Sequence, residues 1–250
     1  MFELNRGLAG HVRDANADGV FPVVLAGDCN SCLGTVAGCG ARDLGVVWFD
    51  AHADFDTPED SRSGSLDGMG LAMLTGRGWD ALRETIPGLA PIPESHVVLV
   101  SARDLEPTQR DRLQRSRIRC LEGNAFSDTD LRVALDELRE RVRRVYLHID
   151  LDALDPGEGT ANQYSAPDGL SSARLQSAVA RSSTGSTSSQ LRSRPTTRCP
   201  TPTDGWQIRP PGSLLRSSDT RCRTTAEEQS PGGIAALGCA RGDERPRNHL

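Results

Sequence analysis

Lysine is missing from this chain. All 29 basic residues among its 250 are arginine, set against 34 acidic residues, for a formal net charge of −5 and a pI near 5.6. An acidic chain of this kind is a poor partner for nucleic acid or for an anionic membrane surface. The arginine-only usage points to a GC-rich coding sequence rather than to a binding function. Long apolar runs are lacking too: none approaches the ~20 residues that a membrane span requires. The amino end, Met1 to Arg6, does not have the basic-then-apolar layout of a signal peptide. Cysteine is neither absent nor paired in number. Seven at irregular spacing do not form the framework of a secreted disulfide scaffold, so a reducing cytoplasm is expected.

A further lack is local. Residues 176–250 contain no Phe or Tyr, about half of them are Ser, Thr, Arg or Pro, and no period of 2 or 3.6 is sustained. Such a segment buries too little apolar surface to offset its chain entropy, and is expected to be a disordered tail. A reading-frame slip is the sharper alternative. Back-translated with GC-rich codons and read in another frame, Ser193 to Trp206 gives a strand end followed by a loop. The nucleotide sequence around the codons for Ser171 to Arg198 decides between the two.

What is present is concentrated before residue 175. Apolar runs at Phe21–Ala26, Leu44–Phe49, Val97–Val100 and Val145–Ile149 read as strands, and Asp67–Thr75 and Thr129–Arg144 read as helices. In the second helix Leu131, Leu135, Leu138 and Val142 recur at three- and four-residue intervals. Continuous rather than alternating apolar strands, separated by helices, imply an α/β domain over 1–175 with a parallel sheet covered on both faces. Ligands of such sheets gather at the carboxyl ends of the strands.

Both of the chain's acidic clusters lie at such ends. Asp50-Ala51-His52-Ala53-Asp54 follows the strand Leu44–Phe49, and Asp150-Leu151-Asp152 with Asp155-Pro156 follows Val145–Ile149. Residues 50, 52 and 54 would share a face for as long as the chain stays extended. Close, desolvated carboxylates repel one another, and a divalent cation relieves both costs. One such cluster reads equally well as a solvated turn. Two in one chain, one of them holding a His, favour a metal site.

Three stretches resemble the ureohydrolase family of arginases, agmatinases and formiminoglutamases. They are Ala26-Gly27-Asp28-Cys29-Asn30, a loose match to the family's Gly-Gly-Asp-His; Trp48 to Asp54; and His148 to Pro156, the most specific. The resemblance covers about residues 15–175. It implies a three-layer α/β fold with two Mn²⁺ ions bridged by a hydroxide that attacks a guanidino or formimino carbon. One ion would take Asp50, His52, Asp150 and Asp152; the other would take Asp50, Asp54, Asp150 and position 29. Asp50 and Asp150 would bridge the pair. A small-molecule amidine is the implied partner, and homo-oligomer formation is compatible with it.

The chain departs from the family pattern in places. Position 29, usually His, is Cys, a softer donor that shifts preference from Mn²⁺ toward Zn²⁺ or iron. The family's Leu-His-Gly segment is Leu66-Asp67-Gly68, so its proton shuttle falls to Asp67 or to nothing; Asp67 and Asp54 are the candidate catalytic carboxylates. An amino-terminal strand before residue 1, and the late strand and acidic loop that would hold a guanidinium, are expected to be absent. The resemblance therefore implies either a metal-dependent hydrolase of linear amidines or an inactive or weakly active, truncated or frameshifted family member that keeps metal binding.

Other residues carry paired readings. Cys29 and Cys32 form a C-x-x-C, a redox pair or, more commonly, a packed Cys32 on the following helix. Asp28 is expected to cap that helix. Asp56 and Thr57 to Glu59 begin either an entrance loop or a solvated turn. His148 is either a partner behind the metal ligands or a satisfied core histidine. Asn162 could reach the pocket, and Arg103-Asp104 reads as an internal ion pair.

Overall fold

The structure is a computed structural model. It describes residues 1–160 and 162–183, and the backbone alone of residues 234–241. The order of elements is α1 (Phe2–Ala17), β1 (Val23–Ala26), α2 (Ser31–Cys39), β2 (Leu44–Phe49), α3 (Gly70–Leu74), α4 (Asp80–Arg83), β3 (Val97–Val100), α5 (Pro107–Arg115), β4 (Arg119–Leu121), α6 (Asp128–Arg141), β5 (Arg144–Asp150), α7 (Ser172–Ser183) and β6 (Ile234–Arg241).

Strand order in the single sheet is β1-β6-β5-β2-β3-β4. Strands β5, β2, β3 and β4 are mutually parallel. β6 is antiparallel to both β5 and β1, so β1 runs with the parallel set. The expected all-parallel sheet is thus interrupted by one reversed strand, Ile234–Arg241, which is the longest apolar run of the tail. It pairs with both β1 and β5, in a chain whose late strand was expected to be absent.

The continuous apolar strands sort cleanly between two cores. Leu44, Val46, Trp48, Val97, Leu99 and Tyr146 face one layer with α1, α2 and α3. Val47, Phe49, Val98, Val100, Leu147 and Ile149 face the other with α6 and α7. The central strands β2 and β3 bury both faces throughout, and β5 does so from Tyr146 onward, which removes the polar alternation of a half-exposed sheet. The three-layer α/β class is therefore the observed one.

Several boundaries shift for local reasons. The first strand begins at Val23, after Pro22, which has no N–H for a ladder. The helix at Asp67 opens as a tight 3₁₀ turn over Asp67–Met69 before α3. α6 starts at Asp128 because Ser127 and Asp130 cap each other reciprocally. It ends at Arg141, and the backbone N–H groups of Arg143 and Arg144 then donate to the Asp43 carbonyl as β5 begins.

The tail expected from residue 176 does not hold over its first residues. α7 crosses the 175/176 boundary and packs Leu175 and Ala178 into the second core. Its buried positions are mostly small, which is why its apolar stripe is faint in the sequence. Residues 184–233 and 242–250, where the rest of the tail expectation falls, lie outside the described residues.

α1 and α2 pack closely at two glycines. A Cβ on Gly38 would lie 2.5 Å from Val12 Cβ and 2.7 Å from the Ala9 carbonyl oxygen. At Gly34 the backbone N–H donates to Asn5 Oδ1 at 2.6 Å. Alanine at position 38 would gain about 1 kcal/mol of helix propensity but pay an overpacking cost of about 1–3 kcal/mol. Gly38→Ala should therefore lower the urea midpoint of unfolding. A midpoint equal to or above that of the parent would show that α1 can move away at no cost.

Candidate metal centre

Register brings the two acidic clusters together. In the parallel pair β2–β5, Trp48 lies beside His148 and Phe49 beside Ile149, so Asp50 and Asp150 leave the sheet as neighbours. Each then terminates its strand with the same device. Asp50 Oδ1 accepts from the His52 backbone N–H at 2.7 Å, and Asp150 Oδ1 accepts from the Asp152 N–H at 2.9 Å. These turns, rather than an extended strand with alternating faces, place His52 and Asp152. Asp54 follows with a left-handed backbone, φ 47°. The expectation of a shared face along an extended chain is corrected accordingly: carboxylates that bond to the backbone two residues on favour a turn.

The clusters also contact each other. Asp152 Oδ1 accepts from the Ala51 N–H at 3.1 Å, and His52 Nδ1 lies 3.3 Å from both Asp50 Oδ1 and Asp152 Oδ2. Asn162 Nδ2 donates to Asp152 Oδ2 at 3.4 Å, so Asn162 does reach this centre. Cys29, at the end of the β1–α2 turn, enters from the side. Its Sγ is 3.4 Å from Asp150 Oδ2 and 3.8 Å from Asp50 Oδ2. Asp67 Oδ1 accepts from the Cys29 backbone N–H at 2.9 Å and so positions that turn.

Two sets of three donors have ligand atoms within 4.8 Å of one another: Asp50, His52 and Asp152, and Cys29, Asp50 and His148. Of the expected ligands, Asp54 and Asp150 belong to neither set. Asp54 is further distinguished by its surroundings. Its Oδ2 is buried with no hydrogen-bond partner among the described residues, an orphaned acceptor of the kind a cation satisfies.

Electrostatics point the same way. Burial, then the charges of Asp50 and Asp152, push the Asp150 carboxyl up to about 7. Burial raises Asp50 against the opposing hydrogen bond from His52, and burial followed by the Asp50 charge raises Asp54. Burial raises the Cys29 thiol, and the neighbouring Asp54 and Asp50 add to it. At Asp67, partial desolvation outweighs the Cys29 N–H bond and raises the carboxyl. Burial of His52 opposes its protonation, but its bonds to Asp152 and Asp50 prevail and push it up to about 11. A cationic His52 lies against Asp50 and Asp152, Arg103 adds a more distant positive charge, and the donor set fits divalent ions that would replace protons.

Other expectations resolve as follows. Asp28 does not cap α2, whose N-cap is Asn30; instead Asp28 Oδ1 accepts from the Asn30 N–H at 2.9 Å and shapes the turn before it. Cys32 is buried on α2 with Sγ 3.7 Å from the Gly70 carbonyl, a packed residue. Arg103 makes no ion pair with Asp104. Its guanidinium donates to the carbonyls of Asp152, Ala166 and Pro167 at 2.8 Å each, clamping the loop after β5. Carbonyls converging from two distant segments leave no signal in sequence, which is why the local Asp seemed the natural partner. Asp104 instead lies 3.7 Å from His52 Nε2. Asp56 is held by Arg112 at 2.9 Å and Gln109 at 2.9 Å, so it anchors α5 rather than forming a solvated turn. Trp48, unremarked in the sequence, donates its indole N–H to Asp50 Oδ2 at 2.9 Å. Its position two residues before Asp50 on one strand face was the available signal.

Comparison with known proteins decides the relationship. The family described as "Arginase family" matches residues 2–189. The chain belongs to the arginase family. It is 37% identical over 163 residues to an arginase of Bacillus caldovelox, and 36% identical over 161 residues to one of Brevibacillus brevis. Either match covers 62% of this chain and 54% of the relative, so the chain spans about half the length of those proteins. Among solved structures, the Bacillus caldovelox arginase superposes with a TM-score of 0.67 at 33% identity, covering 72% of this chain and 62% of that one. A formimidoylglutamase from Bacillus subtilis, at 18% identity and TM-score 0.56 over 70% of this chain and 53% of its own, shares the fold.

For an arginase-family centre the thiol at position 29 has a measurable consequence. Cys29→His replaces a soft donor by imidazole, which suits manganese better. Manganese content measured by elemental analysis should rise toward two ions per chain in the variant. Equal content before and after would show that position 29 is not a ligand, or that Cys serves as well as His.

Proposed function

We propose that this chain is a metal-dependent hydrolase of linear amidines, cleaving a C–N bond of a guanidino or formimino compound. The observation that supports the reading is that Asp50, His52 and Asp152, following two adjacent parallel strands, offer ligand atoms within 4.8 Å of one another, while Cys29 enters from the turn after β1 with Sγ 3.4 Å from Asp150 Oδ2. One ion would be held by Asp50, His52, Asp150 and Asp152, and a second by Cys29, Asp50, Asp54 and Asp150. Manganese, by resemblance, or a softer ion in the Cys29 position would occupy them. When bound, such ions supply Lewis acidity and hydroxide near neutral pH.

The protein groups do the rest. Asp50 and Asp150 keep the two positions adjacent. Asp152, fixed by the Ala51 N–H and Asn162, orients His52. Asp67, whose carboxyl partial burial raises, would hold a proton for the departing amine. The net negative character of the centre favours a cationic substrate over an anionic one. No described helix is long and apolar enough to cross a membrane. The four described cysteines are free, which fits the reducing cytoplasm as the compartment.

The test is turnover of arginine, agmatine, guanidinobutyrate and formiminoglutamate by the full chain loaded with manganese or zinc. Release of urea, or of ammonia or formamide from the formimino compound, is expected from one of the four at an ordinary enzymatic rate of about 1–10³ per second. Full ion occupancy without turnover would replace the hydrolase by a chain that holds ions and does no chemistry.

A further inference from the structure

His148 stands outside the ligand set that family resemblance implies, yet it is fully buried beside it. Its Nε2 is 3.3 Å from Cys29 Sγ, and its Nδ1 is 2.9 Å from the Tyr146 hydroxyl. The ring stacks on Trp48 with centroids 3.6 Å apart and planes 8° from parallel. Register sets that stack, because Trp48 and His148 are neighbours across β2 and β5. Trp48 in turn donates to Asp50 Oδ2 at 2.9 Å, so one indole fixes both an imidazole and a carboxylate. The ligand atoms of Cys29, Asp50 and His148 all lie within 4.8 Å of one another.

We propose that His148 Nε2 is a direct ligand of the ion at Cys29, and that Cys29, His148 and Asp50 make this position a thiolate–imidazole–carboxylate site for zinc or ferrous iron rather than manganese. The inference rests on the metal-centre reading above and changes its second position. The separations fit. Two ligands of a tetrahedral zinc, at about 2.0 Å for nitrogen and 2.3 Å for sulfur, stand roughly 3.5 Å apart. The observed spacings of 3.3 Å from sulfur to His148 and 3.8 Å to Asp50 are edges of such a polyhedron. A ligating histidine donates its other ring N–H to an oxygen, and the Tyr146 hydroxyl is where that acceptor belongs. One thiolate and one imidazole together are softer than the oxygen-rich first position, so the two positions would differ in the ion they select.

The competing geometry has His148 as a hydrogen-bond donor to a coordinated Cys29 thiolate, one step removed from the ion. Zinc X-ray absorption on the full-length chain separates the two. In a His52→Ala background, which leaves the buried stack untouched, one equivalent of zinc should show a sulfur at about 2.3 Å together with imidazole outer-shell scattering. Adding Cys29→Ser should remove the sulfur. Sulfur without imidazole scattering would overturn the assignment, as would zinc with neither. A chain that takes up no zinc or manganese at all would instead sink the metal-centre reading itself.

Competition titration of the intact chain supplies the second arm. His148→Gln should weaken zinc by more than the roughly 10–100-fold that loss of an outer hydrogen-bond partner costs, and weaken manganese far less. Equal losses for both ions, or a zinc loss within that range, would return His148 to a positioning role.

Discussion

Asp150→Asn should strip the chain of both ions at once. Asparagine keeps an oxygen to accept the Asp152 N–H, now made at 2.9 Å, so the turn after β5 survives while the charge is lost. Asp50 and Asp150 are the only carboxylates assigned to both positions, and register makes them neighbours. Elemental analysis should show content well below one ion per chain, and any amidine hydrolysis should fall roughly 10³-fold or more, the equivalent of about 4 kcal/mol of barrier. Asp150→Ala should do the same. If the alanine variant alone lost its ions, the turn rather than the charge would be responsible. Two ions retained in the asparagine variant would remove Asp150 from its bridging place.

The sequence exposed this centre because its ligands are clustered. Strand-ending patterns of the form D-x-H and D-x-D carry their chemistry within a few residues, so both clusters could be read before any tertiary contact was known. The sheet was legible for a related reason: β2 and β3 are buried on both faces and apolar throughout, and the buried stretch of β5 from Tyr146 to Ile149 is interrupted only by His148. Where burial depends on fit rather than on apolar side chains, the signal failed. α1 buries Asn5, Ala9 and Val12, a set with no apolar stripe, because Asn5 is spent on the Gly34 N–H. β4 is only Arg119–Leu121, too short for periodicity.

Long-range polar contacts were hidden in the same way. Arg103 seemed paired with its sequence neighbour and instead gathers carbonyls some fifty to sixty residues away. His148 could be placed on the correct strand face, but its stack on Trp48 and its approach to Cys29 depend on a register between strands 100 residues apart. The residues within each cluster are thus fixed by local sequence, and the meeting of the clusters with each other, with Cys29 and with His148 is a property of the fold.

That difference shapes the response to pH, where the second large effect is expected. In the metal-free chain Asp150 is pushed up to about 7 from an ordinary 3.8. A group raised on folding contributes stability that is complete below its unfolded value and is lost as pH climbs through its folded value. The metal-free chain should therefore lose stability between about pH 4 and pH 7 through Asp150. His52, raised from 6.5 to about 11, extends the loss into the alkaline range. Asp152, lowered by its bond to His52 despite burial, works in the opposite sense only in acid, below the ordinary carboxylate range.

Bound ions reverse the slope, because they displace the protons that Asp150 and His52 otherwise hold. At free ion about a hundredfold above Kd the added stability is about 2.7 kcal/mol per site, or roughly 5–10 °C in Tm for a chain of this size. The difference in Tm between ion-loaded and metal-free chain should thus be small near pH 5 and widen toward pH 8. Ion binding at neutral pH should release protons, visible as a buffer-dependent heat in titration calorimetry. Metal-free Asp150→Asn should outlast the metal-free parent above about pH 7, since it removes a buried carboxylate that is costly to ionise there. A Tm difference independent of pH, with no buffer dependence of the heat, would mean that the carboxylates are already ionised without metal and that the centre is open to water.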